Sequence, residues 1–136
     1  MNAAGAAAAS PIVRARGVTK SFERGGERLD VLQNLDLEVP RGSFEALMGP
    51  SGSGKSTLLN LMAGLDKPTA GTIEIDKKRI DQMSESQLAT WRSSSVGFVF
   101  QSYNLLPRTS ALDNVSTPLL YQRVSRRERA ARATAA

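Results

Sequence analysis

The sequence predicts an α/β fold, and three observations predict it. An apolar run at 46–48 leads straight into a glycine-rich loop, and a second apolar run at 58–63 leads out of it, giving the order strand, tight loop, helix. Upstream, residues 35–39 alternate apolar and polar strictly, the period-two mark of a half-buried strand. Downstream, Leu58, Leu61, Met62 and Leu65 recur at i, i+3, i+4 and i+7, the stripe of a core-facing helix.

The loop reads Gly49-Pro50-Ser51-Gly52-Ser53-Gly54-Lys55-Ser56-Thr57 and fits the phosphate-cradling pattern G-x-x-x-x-G-K-[ST]. Its glycines let successive backbone N–H groups turn inward toward phosphate oxygens. The helix beginning near Gly54 aims its positive dipole end at the same anion. Lys55 is expected to reach the β- and γ-phosphates, and the Ser56 hydroxyl to bind Mg²⁺. Gly49, Ser51, Gly52, Ser53, Gly54, Lys55, Ser56 and Thr57 are therefore the candidate phosphate-binding positions. A dinucleotide fingerprint is excluded, since Gly52-Ser53-Gly54 would need a third glycine where Thr57 stands.

Composition narrows the chemistry further. The 136 residues contain no cysteine and no histidine, which removes disulfides, thiolate metal sites, imidazole bases and histidine ligation. Any metal must be held by oxygen, as Mg²⁺ is. Hydrophobic content of 40% with 23% charged residues fits a globular chain with a modest core and argues against global disorder. The net charge of +5 owes much to Arg123, Arg126, Arg127, Arg129 and Arg132, which read as a solvated helix face. No aromatic residue follows Tyr121, so base stacking by that segment is unsupported and no nucleic-acid partner is expected. No apolar run approaches the roughly 20 residues of a membrane span.

Taken in order, residues 1–11 read as a disordered Ala-rich tail without the features of a signal peptide. Residues 12–18 suggest a strand, 23–28 a polar turn around Gly25-Gly26, and 29–33 and 35–39 two further strands. Residues 43–48 should be the buried parallel strand that feeds the loop, although Glu45 interrupts its apolar run and is expected to weaken it. A helix from about Gly54 to Gly64 follows, then a turn at 67–71 and a short strand at 72–75. Ser84 and Gln87 form a capping box that opens a helix running to about Arg92. Residues 95–100 are apolar and β-prone, and 101–108 form a loop. Residues 111–117 suggest a short helix stopped near Pro118, and the Ala/Arg-rich end from Ser125 is helical by propensity.

This order resembles the ATP-binding subunit of an ABC (ATP-binding cassette) transporter, most closely the group serving lipoprotein release and macrolide or antimicrobial-peptide export. The resemblance is carried by Val18-Thr19-Lys20-Ser21-Phe22, by the loop with its flanks Met48 and Leu58-Leu59-Asn60, and by Ala63-Gly64-Leu65-Asp66-Lys67-Pro68-Thr69-Ala70-Gly71. Val96-Gly97-Phe98-Val99-Phe100-Gln101-Ser102-Tyr103-Asn104-Leu105-Leu106-Pro107 and Asp113-Asn114-Val115 complete it, about residues 12–132 in all. The glycine-rich loop is shared by many families. Its pairing with a phenylalanine-glutamine loop about 45 residues on is far more specific.

The resemblance implies the N-terminal part of a P-loop NTPase (ABC ATPase) core, with an antiparallel β portion and the start of a helical subdomain, over residues 12–136. It implies ATP and Mg²⁺ as ligands. Phe22 would stack on adenine, where the family often has tyrosine, and Gln101 would join Ser56 as a metal ligand while coupling nucleotide state to a membrane subunit. The implied partners are a transmembrane permease subunit and a second nucleotide-binding subunit, with the chain peripheral to the inner, cytoplasmic face of the cell membrane.

The family's domain runs roughly another hundred residues. The Leu-Ser-Gly-Gly-Gln motif, the strand ending in an Asp-Glu pair (Walker B) and the switch histidine are not among these 136 residues. No catalytic residue is therefore assigned, and the chain alone is expected to hydrolyse little or no ATP. A truncated, non-hydrolysing nucleotide-binding module or a non-functional fragment stands as the alternative.

Overall fold

The computed structural model describes residues 10–136 except Gln101, Tyr103 and Arg123. They divide into one compact unit ending at Leu88 and a second, Ala89–Ala136.

The first unit is built on a four-stranded antiparallel sheet in the order β2-β1-β3-β4. Strand β1 (Pro11–Arg24) and strand β2 (Glu27–Pro40) form a long hairpin closed by Gly25 and Gly26, both at positive φ, as a two-residue hairpin turn requires. The two strands expected at 29–33 and 35–39 are one strand with an irregularity at Asn34, whose φ is 47° and whose N–H donates to Thr19 Oγ1 at 3.1 Å. The hydroxyl replaces a ladder partner, so the strand continues through the defect. Pro11, assigned to the tail from sequence, pairs with Pro40 and begins β1; residues 1–9 lie outside the described residues.

Strand β3 (Ala70–Ile75) pairs with β1, and the two-residue β4 (Lys78–Arg79) pairs with β3. At the β1–β3 crossing a Cβ on Gly71 would stand 2.3 Å from the Gly17 carbonyl oxygen, so only glycine permits that approach. A 3₁₀ turn, Ile80–Gln82, follows. Its Asp81 carboxylate accepts the Ile73 N–H at 3.0 Å and two bonds from Arg79, at 2.9 and 2.6 Å.

Helix α1 (Lys55–Met62) packs over β2 and β3, burying Leu58 and Leu61 with Ala15, Val18, Leu32 and Ile73 in the core. Met62 is half-buried and Leu65 half-exposed, so the helical stripe is deepest in the middle. On the sheet, Arg14 and Arg16 of β1 pair with Asp36 and Glu38 of β2, and Arg14 also with Glu74 of β3. These exposed pairs set cross-strand register more than they add stability.

Residues 43–48 do not form the expected strand. Phe44 and Met48 are 98% and 91% exposed, and Glu45 is exposed too, which removes the need to neutralise it. A parallel strand takes its hydrogen bonds from neighbours far off in sequence, and among the described residues no strand pairs with this segment. Residues 96–100 show the same departure: Val99 is fully exposed, and Phe98 stacks on Phe100 at 5.5 Å instead of packing into a sheet.

Helix α2 (Glu85–Ser95) begins with the expected box: Gln87 N–H donates to Ser84 Oγ at 3.3 Å, and Ser84 N–H to Gln87 Oε1 at 2.8 Å. It runs past Arg92 to Ser95, with the Ser93 and Ser94 hydroxyls donating back to the Thr90 and Trp91 carbonyls within the helix.

In the second unit, helix α3 (Ala111–Tyr121) is capped by Ser110, which accepts the Asp113 N–H at 3.1 Å. It continues through Pro118 instead of stopping there. Only one backbone N–H is lost at a proline, which takes the usual helical donor from the Asn114 carbonyl alone; the Ser116 and Thr117 hydroxyls bond the neighbouring Asp113 carbonyl. Helix α4 (Arg126–Ala135), capped by Ser125, packs beside α3. Among the described residues no helix is long and apolar enough to cross a membrane.

Candidate functional site

The loop from Gly49 to Thr57 joins the exposed segment 43–48 to α1. Gly54 is its fixed point. It lies buried against β2, at φ 84°, where a Cβ would meet Leu32 Cδ2 at 2.8 Å and the Val31 carbonyl oxygen at 3.1 Å. The last glycine of the motif thus seats the start of α1 on the sheet.

The first turn of α1 carries no side-chain cap and no acidic residue. Helix N-termini leave N–H groups without intrahelical partners, so the turn presents donors and a positive dipole end that no residue of the turn itself neutralises. Lys55 folds back over the loop, its Nζ donating to the Gly49 carbonyl at 2.9 Å, the Pro50 carbonyl at 2.6 Å and Ser53 Oγ at 3.3 Å. The ammonium is thereby held across the loop and not free on its stem. The Ser53 N–H closes a turn onto the Pro50 carbonyl at 3.3 Å. Ser51, Gly52, Ser53 and Ser56 are exposed and Thr57 is half-buried, so the loop face and the Ser56 hydroxyl are open to a ligand.

Phe22 lies on β1 opposite Leu29, 41% exposed. The register connects it to the loop. Leu32, which touches Gly54, pairs with Lys20, two residues before Phe22. At about 3.4 Å per residue and 4.8 Å between strands, the Phe22 backbone sits on the order of 10 Å from the start of α1. Gln101, the remaining sequence candidate, lies outside the described residues.

One residue was missed from the sequence. Lys20 sends its Nζ to Asp66 Oδ1 at 2.7 Å and the Lys67 carbonyl at 2.9 Å, and sits 4.9 Å from the Phe22 ring centroid. The available signal was its i, i+2 spacing from Phe22, which places both on one face of a strand.

The profile of the ABC transporter family matches residues 32–136. The chain belongs to the ABC transporter family. It is 43% identical over 122 residues to the ABC transporter ATP-binding protein YknY of Bacillus subtilis, covering 90% of this chain and 53% of that protein. It is 45% identical over 106 residues to the macrolide export ATP-binding/permease protein MacB of Bdellovibrio bacteriovorus, covering 78% of this chain and 16% of that one. Among solved structures it is similar to the ATP-binding cassette MJ0796, dimeric and bound to ADP and Pi. There the TM-score is 0.83 at 42% identity, over 90% of this chain and 54% of that one. The chain spans about half the length of the ATP-binding proteins it matches. Over that half it has the N-terminal part of the ABC ATPase fold.

Proposed function

We propose that this ABC family chain binds the triphosphate of ATP, with Mg²⁺, at the loop from Gly49 to Thr57, as part of a transporter's nucleotide-binding domain. The observation that carries this is the uncapped, acid-free first turn of α1 with the Lys55 ammonium folded across the loop beside it. Backbone N–H groups of the loop and first turn would take phosphate oxygens, and Lys55 would exchange part of its bonding to the Gly49 and Pro50 carbonyls for the β- and γ-phosphates. Ser56 would offer its hydroxyl oxygen to Mg²⁺, a hard cation that takes oxygen ligands and would neutralise charge on the phosphates. Gln101 is proposed as a further oxygen donor on the family resemblance. Phe22, half-exposed one strand away, would stack on the base.

The larger assembly is also part of the proposal. Residues 12–136 would form the first portion of a nucleotide-binding domain, pairing with a second such subunit and with a membrane permease on the cytoplasmic side. The intact domain would couple MgATP hydrolysis to export or lipoprotein release. Calorimetric titration of the chain with MgATP tests the binding step. Saturable heat that Lys55→Ala reduces at least tenfold in affinity supports the site; identical isotherms for both chains would overturn it.

A further inference from the structure

We infer that Lys20 is a positioning residue for the nucleotide base, acting through Phe22; the inference rests on Phe22 being the base-stacking ring. Lys20 is a part-buried, doubly bonded ammonium in the first unit. Its side chain is only 12% exposed, fixed by Asp66 at 2.7 Å and by the Lys67 carbonyl at 2.9 Å. Both acceptors lie in the segment following α1, so the contact ties β1 to the far end of the helix whose start forms the phosphate site.

The same ammonium stands 4.9 Å from the Phe22 centroid, inside the range for cation–π attraction. Two consequences follow. The cation stands against one side of the ring, and the residue is 41% exposed, which leaves surface for a base to use. The cation also draws π density toward itself, which reduces repulsion between the ring's free side and the electron-rich face of a purine. A phenylalanine has no hydroxyl to anchor its own orientation, and here Lys20 supplies the anchor from beneath.

Comparing Mg²⁺-ATP with Mg²⁺-tripolyphosphate separates base recognition from phosphate recognition. Phe22→Ala should weaken ATP about tenfold and leave tripolyphosphate unchanged. Lys20→Met, which keeps the stem and removes the charge, should weaken ATP about two- to fivefold, again sparing tripolyphosphate, and Lys20→Arg should restore it. Asp66→Asn releases the tether but keeps the ammonium, and should reproduce the ATP-selective loss if Lys20→Met fails to fold. Equal effects of the Lys20 and Asp66 variants on both ligands, or none on either, would overturn the inference while Phe22→Ala stays selective. A Phe22→Ala chain without ATP selectivity would instead remove the stacking assignment, and the role of Lys20 with it.

Discussion

Gly54 and Leu32 approach so closely that a methyl group on the glycine would stand 2.8 Å from Leu32 Cδ2. The contact places the end of the glycine-rich loop on strand β2 and fixes where α1 begins. Gly52 has nearly the same backbone angle, φ 82° against 84°, but nothing lies within 4 Å of its would-be Cβ. The two glycines therefore separate strain from collision. Gly52→Ala should cost about 1 kcal/mol, the left-handed penalty alone. Gly54→Ala should cost about 2–4 kcal/mol, since the Val31 carbonyl and Leu32 must also shift. Thermal melts of the two variants side by side would reveal the difference, and equal losses would mean that the packing against Leu32 is unimportant.

Asp81 makes stability depend on acid. Hydrogen bonds from the Arg79 guanidinium hold its carboxyl below the usual carboxylate range; burial opposes this, and the Ile73 N–H assists. Because the folded-state pKa lies below the unfolded value of about 3.9, protons bind the unfolded chain more readily. The contribution is complete above about pH 5 and drains away as pH falls through the folded-state value. Asp81→Asn should melt earlier than the wild-type chain by a margin constant from pH 7 to 5, narrowing below pH 4. A margin independent of pH would show that the charge plays no part.

Asn114 organises the approach to α3. Its Oδ1 accepts the Leu106 N–H at 2.7 Å and its Nδ2 donates to the Ser110 carbonyl at 3.0 Å and Thr109 Oγ1 at 3.2 Å. Asn114→Ala should speed amide exchange at Leu106 by about fivefold, as one hydrogen bond of about 1 kcal/mol is lost. Unchanged exchange there would mean that the loop is held by other contacts.

Glu45 is exposed in a segment without strand pairing. Glu45→Val should shift stability by no more than about 0.5 kcal/mol, as for ordinary surface positions. A clear rise in the melting midpoint would instead restore the sequence-based expectation that the glutamate weakens a strand.

The elements most legible in the sequence were those encoded over a few residues. The Ser84–Gln87 capping box, the Gly25-Gly26 hairpin turn and the helical stripe through Leu58 and Leu61 all lie where their spacing put them. The position of Lys55 at the head of α1 was equally plain, while its bonds to the Gly49 and Pro50 carbonyls were not. The boundary at Pro118 was misjudged because one missing N–H does not end a helix whose other bonds persist, and the proline is carried inside α3.

The sequence by itself determined that a glycine-rich loop opens a helix, because glycine, lysine and hydroxyl spacing act within nine residues of one another. The tertiary structure decided which apolar runs are strands. Residues 70–75 pair with β1, whereas 43–48 and 96–100 do not. It also decided that Lys20, 46 residues from Asp66, should meet it beside Phe22. The physical reason is common to both: helices and turns close hydrogen bonds with near neighbours, while strand pairing and ion pairs depend on groups that only the folded chain brings into reach.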